Sequence, residues 1–356
     1  MAMAILGLGT AVPPCGVSQG RAAALTSVVA GHDEAQADRL SVLYGLTGIA
    51  RRHIAMLDEG EVVPDAVNDS QLGPSTGWRM RRYAQQIGPV AFRASMSALE
   101  NSGLCPSAIT HLITVSCTGF AAPGFDLGLI RDLKLDPSVQ RTHIGFMGCH
   151  GAMNGLRIAR ALAASEPGSR ILLCAAELCS MHFRYGGDAG QCVTNALFAD
   201  GAAALVGAPA DEAPAGSWRV SASGSVLVPD TADAMTWRVG DHGFDMTLSP
   251  EIPALIQAHL PKWLGGWLLG HGLTFGDIAS WAVHPGGPKI LDITRDSLGL
   301  AKSALDDSRA VLAGYGNMSS PTILFILDRM IRRGAARPCV ALGFGPGLVV
   351  EAALFN

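Results

Sequence analysis

The sequence predicts an α/β fold, and three observations carry that expectation. Short β-branched or apolar runs alternate with longer helical patterns, as in a strand near 109–116, a helix near 125–135 and a strand near 141–146. The chain has 356 residues, 49% of them apolar, which supplies the core of one large domain or of two fused ones. The apolar runs are short and broken by Gly, Pro or charge, so none reaches the roughly 18 residues that a bilayer-spanning helix requires.

Taken in order, residues 1–10 read as a first strand running into a turn at Gly7–Gly9, without the positive stretch of an export signal. Residues 80–101 place Ile87, Val90, Ala91, Ala94, Met96 and Leu99 in helical register, giving a long amphipathic helix that Ser102 and Gly103 close. The stretch 207–216, rich in Ala, Pro and acid, reads as a link, which divides the chain into halves 1–212 and 213–356. The second half is expected to hold a strand at 218–227, a hairpin at 235–248, a helix at 250–270, a strand at 278–283, then helices and two terminal strands. No repeated motif proves an internal duplication.

The net charge is -4, and no basic cluster extends beyond Arg79, Arg81 and Arg82 or Arg332 and Arg333, so nucleic acid is not an expected partner. The eight cysteines include no CxxC and no zinc spacing, which suits reduced thiols in a cytoplasmic protein.

Three segments could carry chemistry. In Gly148-Cys149-His150-Gly151, a cysteine follows an apolar strand and precedes a helix near 152–164. That position favours thiolate through the helix dipole and points to a nucleophile; the alternative is a structural thiol in a tight turn. His284, in Val283-His284-Pro285-Gly286-Gly287, ends an apolar strand, where sites of α/β sheets gather. Asn317, in Gly316-Asn317-Met318-Ser319-Ser320, lies in a glycine-rich turn before a helix at 322–331; it could offer an amide to an oxyanion or simply cap the turn. His143 and His150 flank the cysteine in packing or lining positions. Glu177, in an apolar strand, is either a buried partnered acid or a cavity group. The run Gly343–Gly347 joins two strands and only superficially matches a dinucleotide loop.

These segments, with Ser116-Cys117-Thr118-Gly119-Phe120, Ala196-Leu197-Phe198-Ala199-Asp200-Gly201-Ala202 and Gly343-Phe344-Gly345-Pro346-Gly347, resemble in order, over nearly the whole chain, the type III polyketide synthases, the group of chalcone synthase and bacterial alkylpyrone and alkylresorcinol synthases. The resemblance implies a thiolase fold of five αβαβα layers in two similar halves, a homodimer, and a cavity reached by a narrow tunnel. It implies Cys149 as acyl-accepting nucleophile, with His284 and Asn317 receiving the thioester oxygen during decarboxylation. Phe198 falls at an aromatic gate, and Phe344 with its glycines at the cyclisation chamber. Substrate positions carried over are Cys117, Thr118, Glu177, His182, Trp237, Met246 and Ser319.

No metal or redox cofactor is implied. Malonyl-CoA and acyl-CoA or acyl carrier protein thioesters would be the substrates, and a pyrone or resorcinol-type ring the product. A single-condensation ketoacyl synthase and a silent acyl-carrier-binding protein are the competing readings. Where the family binds CoA phosphates, the sequence offers only Arg39, Arg51 and Arg52 among Leu40, Leu43, Gly45, Leu46 and Thr47, which raises delivery by an acyl carrier protein. Trp237 and His182 add bulk, and Cys117 resembles bacterial members that open a side tunnel for a long acyl chain; ordinary packing choices explain the same residues.

Overall fold

A computed structural model describes residues 2–56, 72–185 and 189–356. Strand β1 (Met3–Ala11) runs straight through Gly7 and Gly9, with a bulge between Ile5 and Gly7 and no turn. The glycines serve close approach instead. A Cβ on Gly9 would lie 2.3 Å from the Ala94 carbonyl oxygen, and one on Gly7 2.3 Å from that of Ala98.

After β2 (Gly16–Ser18), helices α1 (Gln19–Ala30) and α2 (Glu34–Gly45) and strand β3 (Arg51–His53), the long helix α3 covers Thr76–Ser102. It begins earlier than its apolar periodicity suggests because the Ser75 side chain caps the Trp78 N–H. Strands β4 (His111–Ser116), β5 (Gln140–Gly145) and β6 (Ile171–Leu178) alternate with α4 (Phe125–Leu133) and α5 (Gly151–Ser165). Helix α6 (Ala189–Leu197) precedes β7 (Asp200–Pro209), which takes in the first residues of the expected link.

The remainder comprises β8 (Arg219–Leu227), the hairpin β9 (Met235–Gly240) and β10 (Gly243–Leu248), α7 (Ile252–Leu269), β11 (Ser280–Val283), α8 (Pro288–Ser297), α9 (Asp306–Tyr315), α10 (Thr322–Arg332), β12 (Cys339–Gly345) and β13 (Val349–Phe355). Nine strands form one sheet, ordered β11-β12-β13-β8-β1-β7-β6-β4-β5. Its halves join through β1, which pairs with β7 along its length and with β8 only at Met3 and Ala4.

Strand alternation sorts side chains between layers. On β6, Leu172, Cys174 and Ala176 face a core shared with α3 and α4, while Ile171, Leu173 and Ala175 face a second core with α5 and α10. On β12, Cys339 and Ala341 join that second core, and Val340, Leu342 and Phe344 join a third with α7 and α8. Helix, strand, helix, strand, helix is therefore the layer sequence, the thiolase fold. Helices α5 and α10 form its middle layer.

Candidate active site

Cys149 lies in the turn 148–150 that connects β5 to α5. Gly148 has φ 67°, and its N–H donates to Cys117 Sγ at 3.0 Å, which ties the turn to the end of β4. His150 packs under Gly343 and Gly345: a Cβ on Gly345 would lie 2.2 Å from its ring, and one on Gly343 3.2 Å from the His150 Cβ. This explains both glycines. Phe344, between them, faces the other way along the strand and packs in the core with α7 and α8.

His284 follows β11, held by its N–H donating to the Leu342 carbonyl at 2.8 Å. It is 1% exposed, yet among the described residues neither Nδ1 nor Nε2 has a hydrogen-bond partner. Two sealed, unsatisfied ring nitrogens are costly unless something else engages them. Asn317 pairs with the end of α6: its N–H donates to the Leu197 carbonyl at 3.0 Å, and its carbonyl accepts the Ala199 N–H at 2.9 Å. Its Oδ1 accepts the Ser319 N–H at 2.8 Å, which fixes the carboxamide and leaves Nδ2 for the site. Ser319 takes a left-handed backbone (φ 59°), and its side chain and that of Asn317 stand near enough to the Cys149 thiol to oppose the rise in its pKa. The fold therefore gathers Cys149, Asn317 and Ser319 in one place. His284 stands beside His150, close enough to feel its charge.

Burial dominates the ionisation. It pushes the Cys149 thiol up to about 11, against hydrogen bonds from Ser319 and Asn317 and with help from the Glu177 charge. It lowers His284 to about 3, aided by His150. The sequence had suggested a thiol acidified by the α5 dipole. A dipole contributes about 0.3–1 kcal/mol, and desolvation of an enclosed thiolate outweighs it. Burial thus favours the neutral form of both groups.

Glu177 is wholly buried on β6 and saturated: it accepts from the N–H groups of Cys117 and Thr118 and from the hydroxyls of Ser116, Thr118 and Ser320, the last at 2.6 Å. Burial raises its pKa, opposed by these donors. It is a clamp on the β4 terminus. Ser320, not Ser319, is its partner, and nothing in the sequence separates the two.

A cavity of about 430 Å³ lies alongside, between α1, the loop after β6, α6 and the β9–β10 hairpin. Of the expected substrate positions it is lined by Phe198, His182, Trp237 and Met246; it does not touch Cys149, His284, Asn317, Cys117, Thr118, Glu177, Ser319 or Phe344. His182 fixes its wall: Nε2 donates to the Thr118 carbonyl at 2.6 Å, Nδ1 accepts the Phe244 N–H at 3.2 Å, and the ring stacks on Phe244 at 3.8 Å with Trp237 edge-on. Burial holds this ring at about 3, as a neutral brace. Sequence reasoning missed Ala22, Leu25 and Val29 of α1, which close the far wall, and Cys179 and Phe244 near the site. Helix α1 has no marked apolar periodicity to announce that face.

Arg52 is 4% exposed; its guanidinium lies over the Tyr44 ring, its Nη1 donates to the carbonyls of Asn195 and Phe198, and it borders the inner cavity. Arg39 and Arg51 remain exposed.

Fold and site together define a condensing enzyme of the polyketide-synthase class. The chain belongs to the chalcone and stilbene synthase family: the family's N-terminal domain matches residues 1–210 and its C-terminal domain residues 219–356. It is thus a type III polyketide synthase, an acyltransferase. It is 32% identical over 365 residues to "Alpha-pyrone synthesis polyketide synthase-like Pks18" of Mycobacterium tuberculosis, covering 99% of this chain and 90% of the relative. It is 30% identical over 355 residues to the 3,5-dihydroxyphenylacetyl-CoA synthase of Amycolatopsis balhimycina, covering 98% and 92%. Among solved structures, PKS-I of the brown alga Ectocarpus siliculosus superposes with a TM-score of 0.94 at 32% identity, over 100% of this chain and 98% of that one. Among the described residues, no helix is long and apolar enough to cross a membrane.

Proposed function

We propose that the enzyme loads a fatty acyl group from a CoA or acyl carrier protein thioester onto Cys149, extends it with malonyl-CoA, and closes the chain to an α-pyrone. The observation that carries the chemistry is the buried His284 ring beside His150, the residue that follows Cys149, with Asn317 and Ser319 near enough to act on the Cys149 thiol. Because His284 is neutral, it can take the Cys149 proton as sulfur attacks the acyl carbonyl and return it to the departing thiolate. In the next half-reaction the neutral imidazole N–H and Asn317 Nδ2 donate to the malonyl thioester oxygen as the C–C bond to the carboxylate breaks. Carbon dioxide leaves, and the enolate attacks acyl-Cys149, expelling the sulfur. Donors of this kind are worth about 3 kcal/mol each. No step calls for a metal or redox cofactor.

The fatty acyl starter is supported by the cavity beside the site, whose α1 wall is Ala22, Leu25 and Val29. Lactone closure is supported by Glu177 and Cys117: the carboxylate is filled by its own donors, and the Cys117 sulfur accepts from Gly148, so neither is disposed to activate a water against the thioester. The relative from Mycobacterium tuberculosis is named for α-pyrone synthesis. A homodimer is supported by the exposed Phe120, Phe146 and Met147 beside the edge strand β5.

Intact-protein mass spectrometry with acyl-CoA and acyl-carrier donors of graded length tests the reading. We expect an adduct on wild type that is absent from Cys149→Ala, and a shorter maximum chain in Ala22→Trp. Folded wild type that takes up no acyl group from any donor would leave a silent binding protein as the better account. Adducts without ring formation on adding malonyl-CoA would point to a single-condensation synthase.

A further inference from the structure

We infer that Arg52 is a positioning residue for the decarboxylation half-reaction, setting the place of the Asn317 carboxamide through the backbone of Phe198. The inference rests on the reading of Asn317 as an oxyanion donor.

The path between the two residues is continuous. Arg52 follows the first residue of β3, and its Nη1 donates to the carbonyl of Asn195, in the last turn of α6, and to that of Phe198 at 2.8 Å. These carbonyls lie at the negative end of α6, where a cation is favoured. Phe198 is in turn flanked by two hydrogen bonds to Asn317: Asn317 N–H to the Leu197 carbonyl, and Ala199 N–H to the Asn317 carbonyl. A displacement of 197–199 therefore carries Asn317 with it. The carboxamide adds no slack, because its Oδ1 is held by the Ser319 N–H.

The guanidinium itself is held on several sides. Tyr44 lies under it at 5.4 Å, the Tyr44 hydroxyl is fixed by Thr26 at 2.7 Å, and the buried Asp200 carboxylate attracts it from β7. Asp200 is anchored by the Ala55 and Ser180 N–H groups. Burying a cation this completely is expensive, and packing alone would be served by an apolar residue. What the guanidinium adds is a rigid, two-carbonyl grip at one end of the backbone link between the cavity wall and Asn317. A shift of an ångström in an oxyanion donor is enough to cost about 100-fold in rate.

Cys149 stands on a different support, the β5–α5 turn tied to Cys117 and packed under the 343–347 loop. The two half-reactions should therefore separate. In Arg52→Met, we expect release of carbon dioxide from malonyl-CoA to fall at least tenfold in kcat with KM little changed, while the rate of Cys149 acylation, read by mass spectrometry, stays within twofold of wild type. Arg52→Lys, which can still grip one carbonyl, should recover part of the loss. Equal loss in both half-reactions, or wild-type decarboxylation in Arg52→Met, would overturn the inference. Should Arg52→Met not fold, Arg52→Lys alone decides by the same split. Asn317→Ala serves as the control: if it decarboxylates normally, the reading of Asn317 fails first, whereas loss in Asn317→Ala without loss in Arg52→Met refutes only the role of Arg52.

Discussion

At the scale of single residues, this site works with neutral groups kept from water. His284 near 3 implies a definite dependence of stability on pH. Its folded pKa lies below the unfolded value of about 6.5, so between those values the unfolded chain binds the proton and the folded one does not. Stability is present above pH 6.5 and lost as pH falls toward 3. His284→Gln should remove about one proton from that slope, about 1.4 kcal/mol per pH unit, measured by urea unfolding between pH 6 and 4. An unchanged slope would mean that His284 protonates freely in the folded protein. The residues proposed for the site stand out in the sequence because Cys149, His284 and Asn317 each sit in a glycine-marked turn at the end of a strand or helix. Their ionisation does not: the sequence shows the α5 dipole but not the walls that outweigh it. Arg52 shows the same limit, since an arginine in a loop pattern reads as exposed until Tyr44 and α6 enclose it.

At the scale of elements, close packing explains the glycines better than turns do. Gly9 of β1 lies against α3 with no room for a methyl group, whereas Gly88, within α3 itself, has open space around its Cβ direction. Gly9→Ala should therefore destabilise by at least about 1–3 kcal/mol, and Gly88→Ala should be neutral or stabilise by up to about 1 kcal/mol. Equal midpoints in denaturant for the two variants would contradict this packing. Period and propensity located β4, β5, α3, α7 and the β9–β10 hairpin to within a few residues. They failed for β1 because a glycine pair signals either a turn or a close approach, and only the partner helix decides. Arg79 was similarly misplaced among surface charges; it is buried, and its guanidinium donates to the carbonyls of Pro74, Met181 and Phe183, securing the loop that carries His182.

At the scale of the whole molecule, the edge strand β5 and the exposed Phe146 (53%) and Phe120 (50%) form a face suited to a second copy. Phe146→Asp should shift the protein toward monomer in sedimentation velocity, and an unshifted dimer would place the interface elsewhere. The join between the two halves has a consequence for how the molecule is made. β1 precedes the other strands of this sheet along the chain, yet both its neighbours, β7 and β8, come from residues 200–227. Until that stretch leaves the ribosome, β1 has no strand to pair with and only α3 to lean on. Its ladder closes over some two hundred residues of chain, a separation that makes folding slow. The centre of the sheet is thus the last part of the N-terminal half to set, and the catalytic turn after β5 acquires its final walls only when β12 arrives.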